Sequence, residues 1–493
     1  MKFSIKLSLI FLLYICAWWP LSLQNECIVI LLVSKNKTKK IDSKNMAQTI
    51  EEIIESSPSN RFSMEITFIV ALTWFLPGTQ VVLITNVVPY VQCEYDLADS
   101  KMAFSTSLFF IGVFIGTLLF GYIGDTCGRK FSILCGSFLV LYFGMLDGAT
   151  TSIVFLSVTR FLVGVGCSNV YINSSALVTE YVKINQRPTV ILIFVLVNTA
   201  GSSLGYLMSF LILNSHGWRI LTVVVCLPAI PLMIALYRVP ESFKYLQLTN
   251  NRDRLIEIVK HICTMNKMEI PHAINMECKS SRHRASYVFI LKHHGAKTVL
   301  LFWMWLGGIL CYYAQSFLFT YRLRNHSCGP EPGTTSASPL NPTTAYPVNI
   351  TTMTTQYPRH CQIIQDSDHL VSFGISLAPL VSILVMAPLA NLGRKPLILF
   401  VFLIQCSVYA LQMVCLPYWL NLVLLTMLNS TGSLFTSIMY LYTAELYPTV
   451  VRTTAVGLVA SVGKLCVVVV PLLFQYLIYK LSLIHIWRCR RRG

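Results

Sequence analysis

Two cations in this sequence sit where a cation is hard to accommodate. Lys464 lies about eleven residues into an apolar run, between Val462-Gly463 and Leu465 to Val470, with Pro471 just beyond. Arg160 lies inside another such run. A charge within hydrocarbon costs about 2.5 kcal/mol or more, so each needs an offset. A lysine that deep should face a watery cavity rather than lipid. The competing reading is a lysine paired within its own helix bundle. For Arg160 a position near the lumenal end would also allow simple snorkelling of the long side chain toward water.

A second set of polar residues recurs along the chain. Gly128-Arg129-Lys130 returns as Gly393-Arg394-Lys395, Glu180 as Glu445 and Arg187 as Arg452, each displaced by 265 positions. One shift relating three landmarks makes the two halves copies. Two parallel halves of six helices with a solute between them is a transporter plan. At a helix end near the membrane surface, groups of this kind can hold two bundles shut in one state and let them part in another.

The elements that must carry these residues follow from composition. The chain has 493 residues, 55% hydrophobic and 12% charged, with a mean hydropathy of +0.63. Such a balance excludes a soluble globular domain and indicates an all-α membrane protein. The formal charge of +17 belongs to short cytoplasmic connections rather than to a nucleic-acid face. Crossing about 30 Å of hydrocarbon takes about 20 apolar residues. Spans on that basis fall at 64–91, 102–123, 131–149, 153–177, 189–213 and 218–238, then at 298–319, 369–390, 397–416, 420–442 and 453–479. The turns carrying Arg129 and Lys130, Lys183 and Arg187, Arg394 and Lys395, and Arg452 all fall on one side. So does the central loop, with ten Lys and Arg against five acids between Arg238 and Ala296. That side is the cytoplasm.

The domain organisation is then an N-terminal bundle at 47–240, a cytoplasmic loop at 241–297 and a C-terminal bundle at 298–480. A lumenal or extracellular loop at 320–369 is rich in Thr, Ser and Pro and cannot bury enough apolar surface to fold tightly. It carries the acceptor sequences Asn325-His-Ser and Asn349-Ile-Thr, and the cysteines Cys328 and Cys361. Glycosylation of the two asparagines, a disulfide between the two cysteines and a binding surface for a protein partner are expected there. The remaining cysteines are scattered through apolar stretches without paired ligand spacing, so neither zinc nor another cofactor is expected.

Both ends depart from this plan. Residues 1–46 hold an extra apolar region, 8–32, read as an uncleaved anchor or as an error in the gene model. Residues 481–493, LSLIHIWRCRRRG, resemble the translated end of a sequencing adapter and would put arginines on the outer side. A twelfth helix is on this reading missing from the chain.

The motifs carry a family resemblance. Gly121-Tyr-Ile-Gly-Asp125-Thr-Cys-Gly128-Arg129-Lys130 resembles the loop signature of the major facilitator superfamily, and Arg160-Phe-Leu-Val-Gly164-Val-Gly166 its fourth-helix signature. Pro240-Glu241-Ser242 with Lys244-Tyr245-Leu246 resembles the motif closing the first half in sugar and organic-ion porters. Tyr442-Thr-Ala-Glu445-Leu-Tyr447-Pro448-Thr-Val-Val-Arg452 is similar to the group joining organic-ion transporters with synaptic vesicle glycoprotein 2 and its relatives. Organic-ion transporters carry their long glycosylated loop after the first helix. Here it follows the seventh, which resembles the vesicle-glycoprotein-related branch.

The resemblance implies two rocking bundles, with Asp125 and Arg129 as a cytoplasmic latch and Gly121 and Gly128 permitting close helix approach. Glu180 with Arg187, and Glu445 with Arg452, would serve the same gate, and Asn391 stands where an acid would complete the second copy. Arg160 would support helix packing or proton coupling. Lys464 falls where organic-cation transporters carry an acid and organic-anion transporters an arginine, which implies an anionic solute. Tyr313, Gln315, Tyr440 and Gln80 are further cavity candidates, with Asn169, Asn173 and Asn198 as lining or interhelical glue. Related vesicle proteins have acids in the first helix. This chain has Gln80, Thr85 and Asn86 there and shows no first-helix proton carrier, leaving facilitated diffusion, exchange and proton symport all open.

The functional expectation is a secondary active or facilitative carrier of a small organic solute, an organic anion by the Lys464 argument. It would work by alternating access in a plasma or vesicle membrane. The alternative is a non-transporting membrane glycoprotein acting as receptor or trafficking factor. No phosphate-cradling loop, HExxH helix or nucleophile elbow is evident, so an enzyme or an ATP-driven pump has no support.

Overall fold

The computed structural model describes residues 48–270, 274–275, 287–324, 366–389, 394–412, 417–447, 455–465 and 467–472. They are helical apart from one two-residue parallel pairing of β1 (Gln48–Thr49) with β2 (Ile274–Asn275). Among the described residues ten helices are long and apolar enough to cross a membrane, and Pro396–Leu411 is a shorter eleventh. They fall on the eleven segments that hydropathy marks out.

The first span is built from α2 (Arg61–Ala71), a 3-10 turn (Leu72–Trp74) and α3 (Phe75–Glu94). It is preceded by α1 (Ile50–Ser56), whose start is fixed by a capping box in which Thr49 and Glu52 satisfy each other's backbone N–H. The second to fifth spans are α4 (Asp99–Cys127), α5 (Arg129–Asp147), α6 (Ile153–Tyr181) and α7 (Arg187–His216). The 29 residues of α4 and of α6 reach about 43 Å at 1.5 Å per residue, enough to clear the hydrocarbon on both sides. The sixth span is α8 (Trp218–Cys226) with α9 (Ala229–Leu236), broken at Leu227-Pro228.

After the central segment come α12 (Tyr287–Arg324), kinked at His294, α13 (Asp366–Leu389), α14 (Arg394–Leu411), α15 (Tyr418–Leu446) and α16 (Ala455–Leu472). The internal repeat is visible in the packing. In the first half the second and third spans lie against the fourth, and in the second half the eighth and ninth lie against the tenth. The halves meet along α7 with α13 and α15, and along α3 with α12.

The central segment is not a structureless loop. Residues 243–266 fold into α10 (Phe243–Leu248) and α11 (Arg252–Asn266), separated by Asn250 at φ 54°. Leu255, Ile258, Val259 and Ile262 recur on one side of α11. They bury against Ile50, Ile53 and Ile54 of α1 and Phe62 and Ile66 of α2. The expectation of a polar connection missed this because α11 is amphipathic, and its apolar stripe is diluted by charges when read as a string.

Candidate functional site

Three motifs far apart in sequence converge at one end of the N-terminal bundle. Arg129, the first residue of α5, sets Nη1 2.6 Å from Glu180 Oε1 at the end of α6, and both side chains are nearly sealed from solvent. Glu180 Oε2 also accepts a hydrogen bond from Ser242 Oγ at 2.6 Å. Beside it the Glu241 carboxylate accepts the backbone N–H groups of Lys130 (2.8 Å), Phe131 (3.3 Å) and Ser242 (2.8 Å), capping the N-terminus of α5 where the helix dipole favours an anion. Lys130 Nζ donates to Tyr237 O at 3.0 Å, and Tyr181 Oη donates to Glu241 O.

This geometry revises the sequence-based latch. Asp125 lies 3.8 Å from Arg129 and is largely in water, so the buried partner of Arg129 is Glu180. Glu180 is thereby committed to Arg129 and Ser242, while Arg187 starts α7 half-buried. Gly121 is also not a point of close approach, since a Cβ there would meet nothing within 4 Å. The tight crossing of α4 on α6 is made at Gly112 and Gly164, where a Cβ would collide with Phe161 O and Phe109 O. Gly128 is required for a different reason. Its φ of +102° is open to glycine almost alone, and a Cβ would stand 2.6 Å from Glu241 Oε2.

Glu241 and Ser242 belong to a recognisable motif, yet their partners could not be read from it. Replacing Glu241 with alanine strips the charge-assisted cap from α5 and should lower stability by about 2 kcal/mol, measured as an earlier thermal transition of the detergent-purified protein. An unchanged transition would mean that water replaces the carboxylate at no cost.

A second cluster lies where the halves meet. Lys464 on α16 is half-buried, with Nζ over the ring of Tyr171 on α6, 5.3 Å from its centroid. Among the described residues no carboxylate lies within 4.0 Å of Lys464. Tyr171 Oη donates to Asn198 Oδ1 at 2.8 Å. Its ring meets Trp74 edge-on at 4.8 Å, and Trp74 Nε1 donates to Ser174 Oγ at 2.7 Å. The second half repeats the device. Trp305 meets Tyr440 edge-on at 4.6 Å and donates to Thr443 Oγ1 at 2.9 Å. In each half a tryptophan grips a Tyr-x-x-Ser/Thr step, a pairing that sequence reading missed although both steps are legible in the chain. Tyr313 packs edge-on against Phe110 of α4 at 5.2 Å, and Tyr171 lies within electrostatic range of Tyr313, Tyr440, Tyr312 and Cys167. Lys464, Tyr313 and Tyr440 therefore come together, with Tyr171 added.

Gln80 does not join them. It is fully buried inside the N-terminal bundle, where Nε2 donates to Cys226 Sγ at 3.3 Å. Asn169 and Asn173 are interhelical glue, tied to each other and to Ser132, with Asn173 also donating to Phe120 O. Arg160 is not snorkelling, because its Nε lies 2.9 Å from Asp147 Oδ2 with both groups buried. The letters Gly201-Ser-Ser-Leu-Gly205 spell G-x-S-x-G, yet they lie mid-helix in α7, where Ser203 Oγ donates to Ser376 O, so no nucleophile elbow is formed. Cys93, near the end of α3, is disulfide-bonded. Gly393, Arg452, Asn325, Asn349, Cys328 and Cys361, and the side chains of Gln315, Arg394, Lys395 and Glu445, lie outside the described residues.

The model of the sugar (and other) transporter family matches residues 34–326, more than half of the chain. The chain belongs to that family. Among its relatives, the synaptic vesicle 2-related protein of Rattus norvegicus is 23% identical over 430 residues, covering 87% of this chain and 76% of that protein. SVOPL of Homo sapiens, described as a candidate transporter, is 27% identical over 439 residues, covering 87% of this chain and 86% of its own length. The partially occluded inward-open structure of the xylose transporter XylE from E. coli superposes with a TM-score of 0.59 at 17% identity, covering 83% of this chain and 91% of that one. The sugar-transporter family chain is thus a multi-pass membrane transporter with the major facilitator fold, as its motifs implied.

Proposed function

We propose that this chain carries a small organic anion by alternating access, with Lys464 receiving the anionic group between the two bundles. The observation that carries the reading is the half-buried Lys464 ammonium, held over Tyr171 with no carboxylate in reach among the described residues. A cation out of bulk water without an anion is costly, and an incoming carboxylate relieves that cost with a charge-assisted hydrogen bond. Tyr313, Tyr440 and Trp305 give such a solute apolar walls with few competing charges. The solved relative XylE is described as a proton:xylose symporter. A neutral sugar offers Lys464 no countercharge, which is why the anion is favoured here over the family's titular substrate.

Alternating access draws support from the opposite end of the bundles. There Tyr90 Oη of the first span meets Asn214 Oδ1 of the fifth at 2.5 Å and His369 Nε2 of the eighth at 3.2 Å. This joint ties the halves on the outer side, and the Arg129–Glu180–Ser242 cluster sits at the cytoplasmic side of one half.

The test is uptake into liposomes holding the purified full chain, with radiolabelled benzoate, succinate, tetraethylammonium and xylose as probes. Saturable uptake of an anion, competed by other anions, is expected. Uptake confined to the cation or the sugar overturns the anion assignment, and uptake of none of the four overturns the proposal in favour of the receptor or trafficking reading.

A further inference from the structure

Among the described residues four cations lie over an aromatic ring, and three of them have a second partner. Lys130 faces Tyr237 and donates to Tyr237 O, Arg219 faces Trp218 and is paired with Glu94, and Lys244 faces Phe243 and is paired with Glu51. In none of the three does the contact cross from one half of the molecule to the other. Lys464 differs on both counts. It has no ion pair or hydrogen bond to a described residue. Its contact with the Tyr171 ring, at 5.3 Å, joins α16 of the second half to α6 of the first.

Both sides of this contact are pinned. Tyr171 Oη is bonded to Asn198 of α7, and its ring edge is met by Trp74 of the first span. Trp74 is itself fixed by Ser174 of α6 and by Phe194 of α7, whose ring lies 4.9 Å away. Tyr171 is thus built into the first half and cannot follow the second. On the other side, a Cβ on Gly463 would stand 2.7 Å from Ile309 Cδ1 and 3.3 Å from Trp305 O, so α16 lies close on α12 beside Lys464. Between these two fixed backbones runs one flexible four-carbon stem. When the halves move apart at this level, the cation and the ring must part.

The duplicated scaffold does not require the contact. Tyr440 is gripped by Trp305 with Thr443 as Tyr171 is by Trp74 with Ser174. The shift of 265 that relates the halves pairs Lys464 with Thr199, whose hydroxyl bonds Val195 O of its own helix. The gripped ring is present twice and the cation once. The contact is also weak enough to be exchanged, since a ring face holds an ammonium less firmly than a carboxylate does through a charge-assisted hydrogen bond.

We propose that Tyr171 is a positioning residue, the resting partner of the Lys464 ammonium, and that an arriving carboxylate takes the ammonium from the ring and so unties one half from the other. Solute binding and release of the joint are then a single exchange, with no covalent bond changed and no proton transferred. This rests on the anion reading above and names the residue with which the anion competes.

The joint is tested first without solute, on the detergent-purified full chain. Tyr171→Leu should lower the unfolding temperature more when Lys464 is present than in a Lys464→Met background, and an equal fall in both overturns the joint. Displacement is tested with radiolabelled benzoate. Binding should be tighter in Tyr171→Leu than in the wild type, by roughly two- to thirtyfold, because the anion no longer competes with a ring. Tyr171→Phe, which keeps a ring, should shift affinity by less. A tyrosine that merely supports the fold predicts the opposite sign, so unchanged or weaker binding in Tyr171→Leu overturns the displacement. Should Tyr171→Leu fail to fold, phenylalanine at position 171 with one, two and three ring fluorines keeps the shape while weakening the negative ring face. Affinity should then rise with each fluorine, and a flat series overturns the displacement. If the wild type binds no benzoate although the coupling is present, the anion reading fails and the displacement with it. If benzoate binds and the coupling is absent, the anion reading stands and the joint alone falls.

Discussion

Replacing Lys464 with alanine should abolish saturable anion uptake at substrate concentrations that serve the wild type, and replacing it with aspartate should do the same while admitting organic cations. A charge-assisted hydrogen bond is worth about 1.5–3 kcal/mol, or roughly ten- to a hundredfold in affinity. Alanine leaves Tyr171 with its edge contact to Trp74 and its bond to Asn198, so the loss should fall on ligand affinity rather than on folding. Aspartate goes further, because a carboxylate now faces an incoming carboxylate. Arginine keeps the charge but presents a planar fork in place of a point charge, so weak uptake with altered selectivity is expected. The measurement is concentration-dependent uptake in liposomes, with thermal stability followed alongside. Equal anion affinity in the wild type and in the alanine and aspartate variants would remove Lys464 from recognition.

Lys464 and Arg160 show what one-dimensional reading can and cannot supply. Both were legible because a charge inside an apolar run is anomalous whatever the fold. The partner of neither could be read. Asp147 falls inside the third expected span, 131–149, yet an acid near the end of a span looks like an interfacial residue until α6 is laid beside α5. Tyr171 was invisible for the opposite reason, since a tyrosine in an apolar helix is ordinary. Only its place between Trp74, Asn198 and Lys464 distinguishes it.

The span pattern, the duplication and the family were legible because each rests on local or periodic signals. Twenty apolar residues, a shift of 265 and a loop signature survive being written as a string. Contacts between motifs do not. The first-half signature, the acid closing the fourth span and Pro240-Glu241-Ser242 are each recognisable alone. Their merger into one hydrogen-bonded cluster depends on the return of the chain after the sixth span. Gly121 shows the converse error, for its motif membership suggested a close approach that the α4–α6 crossing makes instead at Gly112 and Gly164.

The same cluster yields the largest expected effect on stability. Arg129→Ala leaves the Glu180 carboxylate, 4% exposed, without its cation. Removing one member of a buried pair costs about 3–5 kcal/mol, which should show as a large fall in the unfolding temperature in detergent. Glu180→Gln should cost less. Arg129 is 13% exposed and keeps Asp125 at 3.8 Å, and the glutamine amide can still meet Ser242. Asp125→Asn should change stability little, because a side chain that is 76% exposed contributes to a solvent-screened pair. The order Arg129→Ala, then Glu180→Gln, then Asp125→Asn discriminates a Glu180-centred lock from the Asp125 latch that the motif suggests. Combining Arg129→Ala with Glu180→Gln should recover part of the loss, since no buried charge is then left alone, and a double-mutant cycle measures that coupling. Purely additive losses, or a fall for Asp125→Asn as large as that for Arg129→Ala, would move the lock from Glu180 to the exposed aspartate.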